Sequence, residues 1–412
     1  MGTTLPTADS IRRLARDRLG FDQLRPGQLE AVTAAAAGRS VVAVLPTGAG
    51  KSAIYELAGL SRTGPTVVVS PLIALEDDQL AHLRDAGLSA TVVNSKLSRR
   101  ARAEALSTVG DTDEFVFVAP EQLTNPETRA ALMKVQPGLF VVDEAHLVSQ
   151  WGQDFRPDYL RLSAQADALG VDVRMALTAT AAPPVREEII NRLGLQEPTV
   201  VIGDFNRPEI NLSVHRVFSR DGKRRAIEQA ASELDGSGIV YAATRAGAQE
   251  ARDVLAAAGH GVTLYHAGLP IAVRRQVMQS FLNGSRRIMA ATVAFGMGID
   301  KADVRWVVHA DPPGSIDAYY QEIGRAGRDG KPAQAQLLYH DADLAVVRHL
   351  TAGDHVSPAA IAEVAHRLAN GLAGSSIGDL AATPRSTRSV TLALARLVDI
   401  GAASWLADGG VR

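Results

Sequence analysis

The chain has 412 residues, 46% of them hydrophobic and 21% charged, which fits a folded protein of two or three domains with large cores. It contains no Cys, so disulfides and thiolate metal sites are excluded. No membrane-length apolar run and no leader pattern stands out, so the expectation is a cytoplasmic protein without a membrane partner. The formal net charge of −2 decides nothing about nucleic acid, because one basic groove can coexist with acidic faces.

From Val41 to Ile202 short β-branched runs recur, among them Val41 to Leu45, Val67 to Ser70, Phe115 to Val118 and Phe140 to Asp143. They are nearly all apolar rather than alternating, the pattern of strands buried on both faces of a parallel sheet. Helix-compatible stretches such as Ala74 to Ala86 lie between them, which predicts an α/β domain. A polar, Pro-containing connector, Asp204 to Glu209, interrupts the rhythm. The same texture then restarts with Gly238 to Ala242, Val262 to Tyr265, Arg287 to Ala291 and Val304 to Val308, predicting a second α/β domain. The expected boundaries are 1–205, 206–350 and 351–412.

After Val356 short helices take over. Ser357-Pro358 opens one, Ser375 to Ala382 gives a second, and Ser386 to Ile400 a third that Gly401 ends. Ala402 to Leu406 and the turn Asp408-Gly409-Gly410 follow. This order resembles a winged helix, with Ser386 to Leu397 as a groove-reading helix; a small helical cap is the alternative. The chain stops where a wing hairpin would turn back, as in a truncated form.

Leu45-Pro46-Thr47-Gly48-Ala49-Gly50-Lys51-Ser52 follows a predicted strand and opens a predicted helix. Its glycines let backbone amides curl around phosphate oxygens, and the helix start adds a favourable dipole. Lys51 would reach the outer phosphates and Ser52 would ligate Mg²⁺. Leu45 stands where the usual pattern has Gly, and the bland alternative is a Gly-rich turn. Asp143-Glu144-Ala145-His146 ends another apolar run, where a buried strand delivers it beside the phosphate loop. Asp143 then organises the metal and Glu144 orients and deprotonates the attacking water; alone, such an acidic pair reads equally as a turn or cap.

Together these residues begin an ordered series, from about residue 20 to residue 330, that resembles superfamily 2 helicases. Within it the run Ser149-Gln150-Trp151-Gly152-Gln153-Asp154-Phe155-Arg156-Pro157-Asp158-Tyr159 is similar to the aromatic-rich loop of RecQ DNA helicases, with Gln153 where that family typically has His. The resemblance implies two RecA-like parallel-sheet motor domains followed by the small helical domain. It also implies ATP with Mg²⁺, and 3′→5′ movement on single-stranded DNA with unwinding of forked or tailed duplexes. Trp151 and Phe155 would stack on bases and Arg156 would add a phosphate or cation–π contact; core packing is the alternative for the two rings. Phe21, Arg25 and Gln28 resemble the adenine-recognition motif of the family, together with the phosphate loop Thr47, Gly48, Ala49, Gly50 and Lys51.

Ser70-Pro71-Leu72 and Pro120-Glu121-Gln122-Leu123 match DNA-backbone motifs, and Thr178-Ala179-Thr180 the motif that links hydrolysis to movement. In the second domain Gln321 to Gly330 carries Arg328 as the arginine finger and Arg325 as its partner at the γ-phosphate. Thr292 would hold DNA phosphate and Asp300 would lie near the ribose, while Arg245 and His266 fit strand-tracking loops. RecQ proteins usually carry a four-Cys zinc module after the second motor domain. Without Cys, and with His340, His349, His355 and His366 a poor replacement set, no structural zinc is expected. Rival readings are a translocase or remodeller that does not separate strands, an RNA helicase, and an adaptor with a decayed ATP site. A monomer is favoured.

Overall fold

The computed structural model describes residues 6–71, 80, 82–95, 97–109, 114–149, 156–296, 301–351, 356–372, 374, 377–380, 387–408 and 410–412. The chain divides into two compact units, Met1–Asp204 with Asp354–Arg412, and Phe205–Gly353. The C-terminal residues therefore belong with the first α/β unit. The helical start of Ala74 to Ala86 lies outside the described residues, whereas residues 82–85 are helical.

The first unit opens with helices α1 (Ala8–Leu19) and α2 (Gln28–Ala36). Helix α1 starts where the Thr7 side chain accepts from the Ser10 amide, and ends at Gly20 with φ 69°. Then come β1 (Val41–Val44), α3 (Lys51–Leu60), β2 (Thr66–Val69), β3 (Ala90–Val93), α4 (Arg99–Thr108) and β4 (Phe115–Val118). The unit continues with α5 (Pro126–Val135), β5 (Leu139–Val142), α6 (Leu162–Ala168), β6 (Arg174–Thr178), α7 (Pro183–Arg192) and β7 (Thr199–Ile202). All pairings are parallel, in the order β3-β4-β2-β5-β6-β1-β7. Every residue of β1, β2, β4 and β5 is buried, as strands sandwiched between helix layers must be. The order matters for function. The C-terminal ends of β2, β5, β6 and β1 lie side by side, so Ser70, Asp143, Thr178 and the loop after Val44 meet at one edge of one sheet.

The second unit contains β8 (Ile210–Arg216), α8 (Arg220–Glu233), β9 (Ser237–Tyr241), α9 (Arg245–Ala257), β10 (Val262–Tyr265), α10 (Ile271–Leu282) and β11 (Ile288–Ala291). It is completed by β12 (Val304–His309), α11 (Ile316–Ile323), β13 (Ala333–Tyr339) and α12 (Asp343–Thr351). Its sheet is also parallel, ordered β10-β11-β9-β12-β13-β8. A separate apolar cluster covers each face, one around Leu255 and Trp306, the other around Phe281 and Phe295. At Gly238 an added Cβ would meet the Trp306 ring at 1.9 Å, so only glycine lets the two strands pack there.

The C-terminal segment forms α13 (Pro358–Arg367), α14 (Ile377–Leu380) and α15 (Thr387–Asp399), then a short antiparallel hairpin. Ser404 N donates to Arg412 O and Arg412 N to Ser404 O, while Leu406 N donates to Gly410 O. Two expectations are corrected here. The wing hairpin turns back before the chain ends, because the Asp408–Gly410 turn already reverses it. Helix α15 is not a free groove-reading helix, since residues 390–395 are all buried. One side of α15 faces its own core with Val364, Leu380 and Val411, and another packs on the turn Pro157–Arg161 of the first unit. Its charged residues Arg396 and Asp399 stay on the exposed side.

Among the described residues no helix is long and apolar enough to cross a membrane.

Candidate functional site

The loop between β1 and α3 is built for an anion. Leu45 N donates to Thr178 O (3.0 Å) and fastens the loop's start, and Gly48 and Gly50 take positive φ of 84° and 74°. At Gly50 an added Cβ would fall 2.7 Å from Gln28 Nε2, so both conformation and space demand glycine. The first-turn amides of α3 have no partners within the helix and sit at the positive end of its dipole. Lys51, the first helical residue, is folded back, its Nζ donating to Leu45 O at 3.3 Å. Ser52 follows it in the same turn.

Gln28 is buried and makes three hydrogen bonds. Its Oε1 accepts from Arg25 N (2.8 Å), and its Nε2 donates to Ala49 O (3.1 Å) and Gly50 O (2.8 Å). The Arg25 guanidinium donates to Gly48 O. The carbonyls of residues 48–50 are thus turned toward Arg25 and Gln28, a contact that sequence reasoning did not foresee. Phe21 stacks on His82 with ring centroids 6.2 Å apart and planes at 20°. Beside it is a cavity of about 260 Å³ lined by Arg12, Phe21, Asp22, Gln23, Leu24 and Leu29. The buried Glu56 carboxylate, 3.8 Å from Nε2, raises the pKa of His82.

Asp143 and Glu144 leave the end of β5. Asp143 is buried, and its carboxyl is pushed up to about 7 by burial and by the like charge of Glu144; Lys51 and the Glu144 amide pull it back. That influence of Lys51 brings the phosphate-loop lysine and Asp143 into one corner. A buried carboxylate short of positive charge beside a helix start fits a divalent cation. Glu144 adopts φ 48°, ψ 46°, a left-handed conformation uncommon for a residue with a side chain. It sends Oε2 to within 3.4 Å of His146 Nδ1.

His146 joins this corner to the end of β6. Its Nδ1 lies 2.9 Å from Thr178 Oγ1, which is fully buried and donates to Thr180 O at 2.9 Å. With the hydroxyl proton committed to Thr180, Nδ1 of His146 must be the donor to Thr178. The motif Thr178-Ala179-Thr180 is therefore hydrogen-bonded to His146, and the Glu144 carboxylate stands 3.4 Å from the same nitrogen, a role the sequence reading did not assign to His146. Tyr159 adds a further link, its hydroxyl donating to the Asp143 carbonyl (3.2 Å).

The DNA candidates of the first unit are partly in view. Ser70 is fully buried at the end of β2 and its Oγ has no partner among the described residues. Arg156 donates from Nη1 to Pro71 O (3.1 Å), so part of its guanidinium is spent on the neighbouring motif. Trp151, Phe155 and Asp300 lie outside the described residues.

In the second unit Arg245, His266 and Thr292 follow β9, β10 and β11, three adjacent parallel strands, so they emerge at one edge of that sheet. An added Cβ at Gly268 would lie 2.9 Å from Arg245 Nη1 and 3.2 Å from His266 Nδ1, so these two side chains meet over a glycine. Thr292 is buried with its amide donating to Tyr265 O at 3.2 Å. Arg325 and Arg328 sit in the turn after α11, and both act electrostatically on the buried Tyr241. Burial raises the Tyr241 hydroxyl pKa and Arg325 lowers it; the hydroxyl donates to Phe295 O at 2.6 Å. Next to them lies a buried pair that sequence reasoning missed, His309 Nε2 and Glu322 Oε2, 2.7 Å apart. The signal was present, since Glu322 lies within the Gln321 to Gly330 motif, three residues before Arg325.

Residues 25–189 match the DEAD/DEAH box helicase family and residues 222–330 the helicase conserved C-terminal domain. The chain is 37% identical over 347 residues to a probable ATP-dependent DNA helicase RecS of Bacillus subtilis, covering 84% of this chain and 70% of that one. It is 37% identical over 331 residues to the ATP-dependent DNA helicase RecQ of Pasteurella multocida, covering 79% of this chain but 51% of the relative. The chain thus spans about half of that RecQ relative. In fold it is similar to the DUF1998 helicase MrfA bound to DNA, with a TM-score of 0.68 at 18% identity, covering 100% of this chain and 63% of that one. With its phosphate loop, acidic corner and two parallel-sheet units, the chain belongs to the RecQ family of ATP-dependent DNA helicases.

Proposed function

We propose that the chain is an ATP-driven motor that moves 3′→5′ along single-stranded DNA and separates forked or tailed duplexes, in repair or recombination. The observation that carries this is the line from Glu144 through His146 to Thr178 and Thr180. It ties the hydrolytic acid to a neighbouring strand end, a link that nucleotide binding alone would not need but a motor would.

In this reading Lys51 and the amides at the start of α3 grip the outer phosphates, and Glu144 takes the proton of the attacking water. Ser52 and Asp143 hold Mg²⁺, which supplies charge neutralisation at the phosphates. Phe21 and Arg25 stack at the adenine. Gln28 retains a second lone pair on Oε1 for the adenine amine while it grips the loop, so base recognition is felt at the phosphates. Arg328 and Arg325 neutralise charge on the transferring phosphoryl group, and Asp300 serves the ribose. Ser70, Arg156, Arg245, His266 and Thr292 track the DNA backbone, with Trp151 and Phe155 stacking on bases.

We take the protein to be a cytoplasmic monomer without structural zinc. The lack of Cys supports the reading without zinc. Stoichiometric zinc in the purified protein would overturn it. Strand displacement on 3′-tailed and 5′-tailed duplexes tests the motor: ATP-dependent displacement is expected with the 3′ tail alone. Hydrolysis without displacement on either substrate would favour a translocase that does not unwind.

A further inference from the structure

The C-terminal segment is joined to the catalytic corner by two routes. In the first, Asp399 at the end of α15 pairs with Arg192 of α7 (2.9 Å), whose Nε holds Glu188 (2.6 Å), and Glu188 Oε2 accepts from Ser149 Oγ at 2.6 Å. Ser149 N in turn donates to His146 O at 3.0 Å, so this route ends on the backbone of the residue whose imidazole lies between Glu144 and Thr178. In the second, the Trp405 ring of the hairpin lies 5.3 Å from the guanidinium carbon of Arg161, and α15 packs on the same Pro157–Arg161 turn. That turn carries Tyr159, whose hydroxyl holds the Asp143 carbonyl, and follows Arg156, which holds Pro71. Arg129 of α5 adds a third fastening through Ala407 O at 3.1 Å.

The ties are unlike a casual surface contact. Arg192 and Glu188 are largely buried, with side chains 9% and 14% exposed, and burial lowers the Arg161 pKa despite its cation–π contact. A buried guanidinium is expensive unless held, and here it is held by an aromatic ring from the C-terminal hairpin. The helix that would read a DNA groove in a free winged helix spends that face on the motor instead.

We propose that the C-terminal segment acts as a positioning element for hydrolysis: Asp399 and Trp405 set the placement of His146 and Tyr159, and through them of Glu144 and Asp143. None of these ties touches the phosphate loop, so loosening them changes the rate of the chemical step and leaves nucleotide binding alone. The inference deepens the motor reading proposed above and rests on it.

The test uses the full chain with Trp405→Ala, Trp405→Phe and Asp399→Asn, each checked for wild-type melting. Steady-state hydrolysis is followed with saturating single-stranded DNA. The expected result is a kcat about tenfold lower for Trp405→Ala and Asp399→Asn, with ATP KM within about twofold, the scale of a misplaced catalytic group. Trp405→Phe, which keeps a ring over Arg161, restores most of kcat. If Trp405→Ala melts early, Asp399→Asn carries the test alone, because its site is about a third exposed. Wild-type kcat in Asp399→Asn, or loss of strand displacement with hydrolysis intact, would overturn the inference. A wild-type chain without DNA-stimulated hydrolysis would instead defeat the motor reading itself.

Discussion

Replacing Thr178 by Val keeps the shape of the side chain and removes one hydroxyl from the centre of the motor. That oxygen takes part in three contacts: with His146 Nδ1 at 2.9 Å, with Thr180 O at 2.9 Å and with Thr180 N at 3.3 Å. All are shut away from water, so no solvent replaces the lost partner. A net hydrogen bond contributes about 1 kcal/mol, and a buried group left unpaired costs about 1–3 kcal/mol, so a loss of about 2–3 kcal/mol is expected. For a unit of this size that lowers its melting temperature by about 4–10 °C. The kinetic consequence is separate. Without Thr178 to receive its proton, the His146 ring no longer holds one orientation against Glu144, and DNA-stimulated kcat falls about tenfold or more. ATP KM stays within about twofold, because Lys51 and Gln28 are untouched. Hydrolysis measured against ATP concentration, beside a melting curve, reads both effects. A destabilised variant with full kcat, or one that fails through ATP KM, would refute the role given to the His146 link.

Other outcomes follow from the same geometry. Lys51→Ala and Arg328→Ala abolish DNA-stimulated hydrolysis and largely preserve single-strand binding; full stimulated activity in either would sink the assignment of these residues. Asp143 titrates near 7, raised above the usual carboxylate value, and Mg²⁺ binds only its ionised form. Protons therefore compete below that pH, and Mg²⁺-dependent nucleotide affinity falls about tenfold per unit as pH drops from 7 to 5.5. An affinity flat across that window would contradict the burial argument. Gly238→Ala drives a methyl into the Trp306 ring, costing about 1–3 kcal/mol, and calorimetry would register it as earlier melting of the second unit. Unchanged melting would mean that the ring has room to move.

The sequence disclosed the parts of this fold that are buried on both faces. Val41 to Leu45, Phe115 to Val118 and Phe140 to Asp143 are uninterrupted apolar runs, and the strands lie there within a residue. It was silent where a strand is only half covered. β8, Ile210–Arg216, mixes Asn, Ser and His with apolar residues because it is an edge strand with most of its length exposed. β13, though paired on both sides, alternates Ala and Gln at its start and so lacks the uninterrupted apolar run.

The candidate site divides similarly. Lys51, Asp143 and Glu144 are legible because phosphate and metal chemistry constrains residue type at fixed spacing. The partnership of His146 with Thr178 joins residues far apart in the chain, and only the order of β5 and β6 in the sheet brings them together. Helix α15 misled for another reason. An amphipathic pattern tells which face enters its own core, but nothing in it says that a turn distant in sequence claims another face.

The most direct test of the account is steady-state ATP hydrolysis by the intact chain, titrated with single-stranded DNA and, in parallel, with single-stranded RNA. A motor of the kind proposed shows a strong, saturable rise in kcat with DNA and a much weaker one with RNA. Hydrolysis that ignores both, or that responds to RNA in preference to DNA, would contradict it.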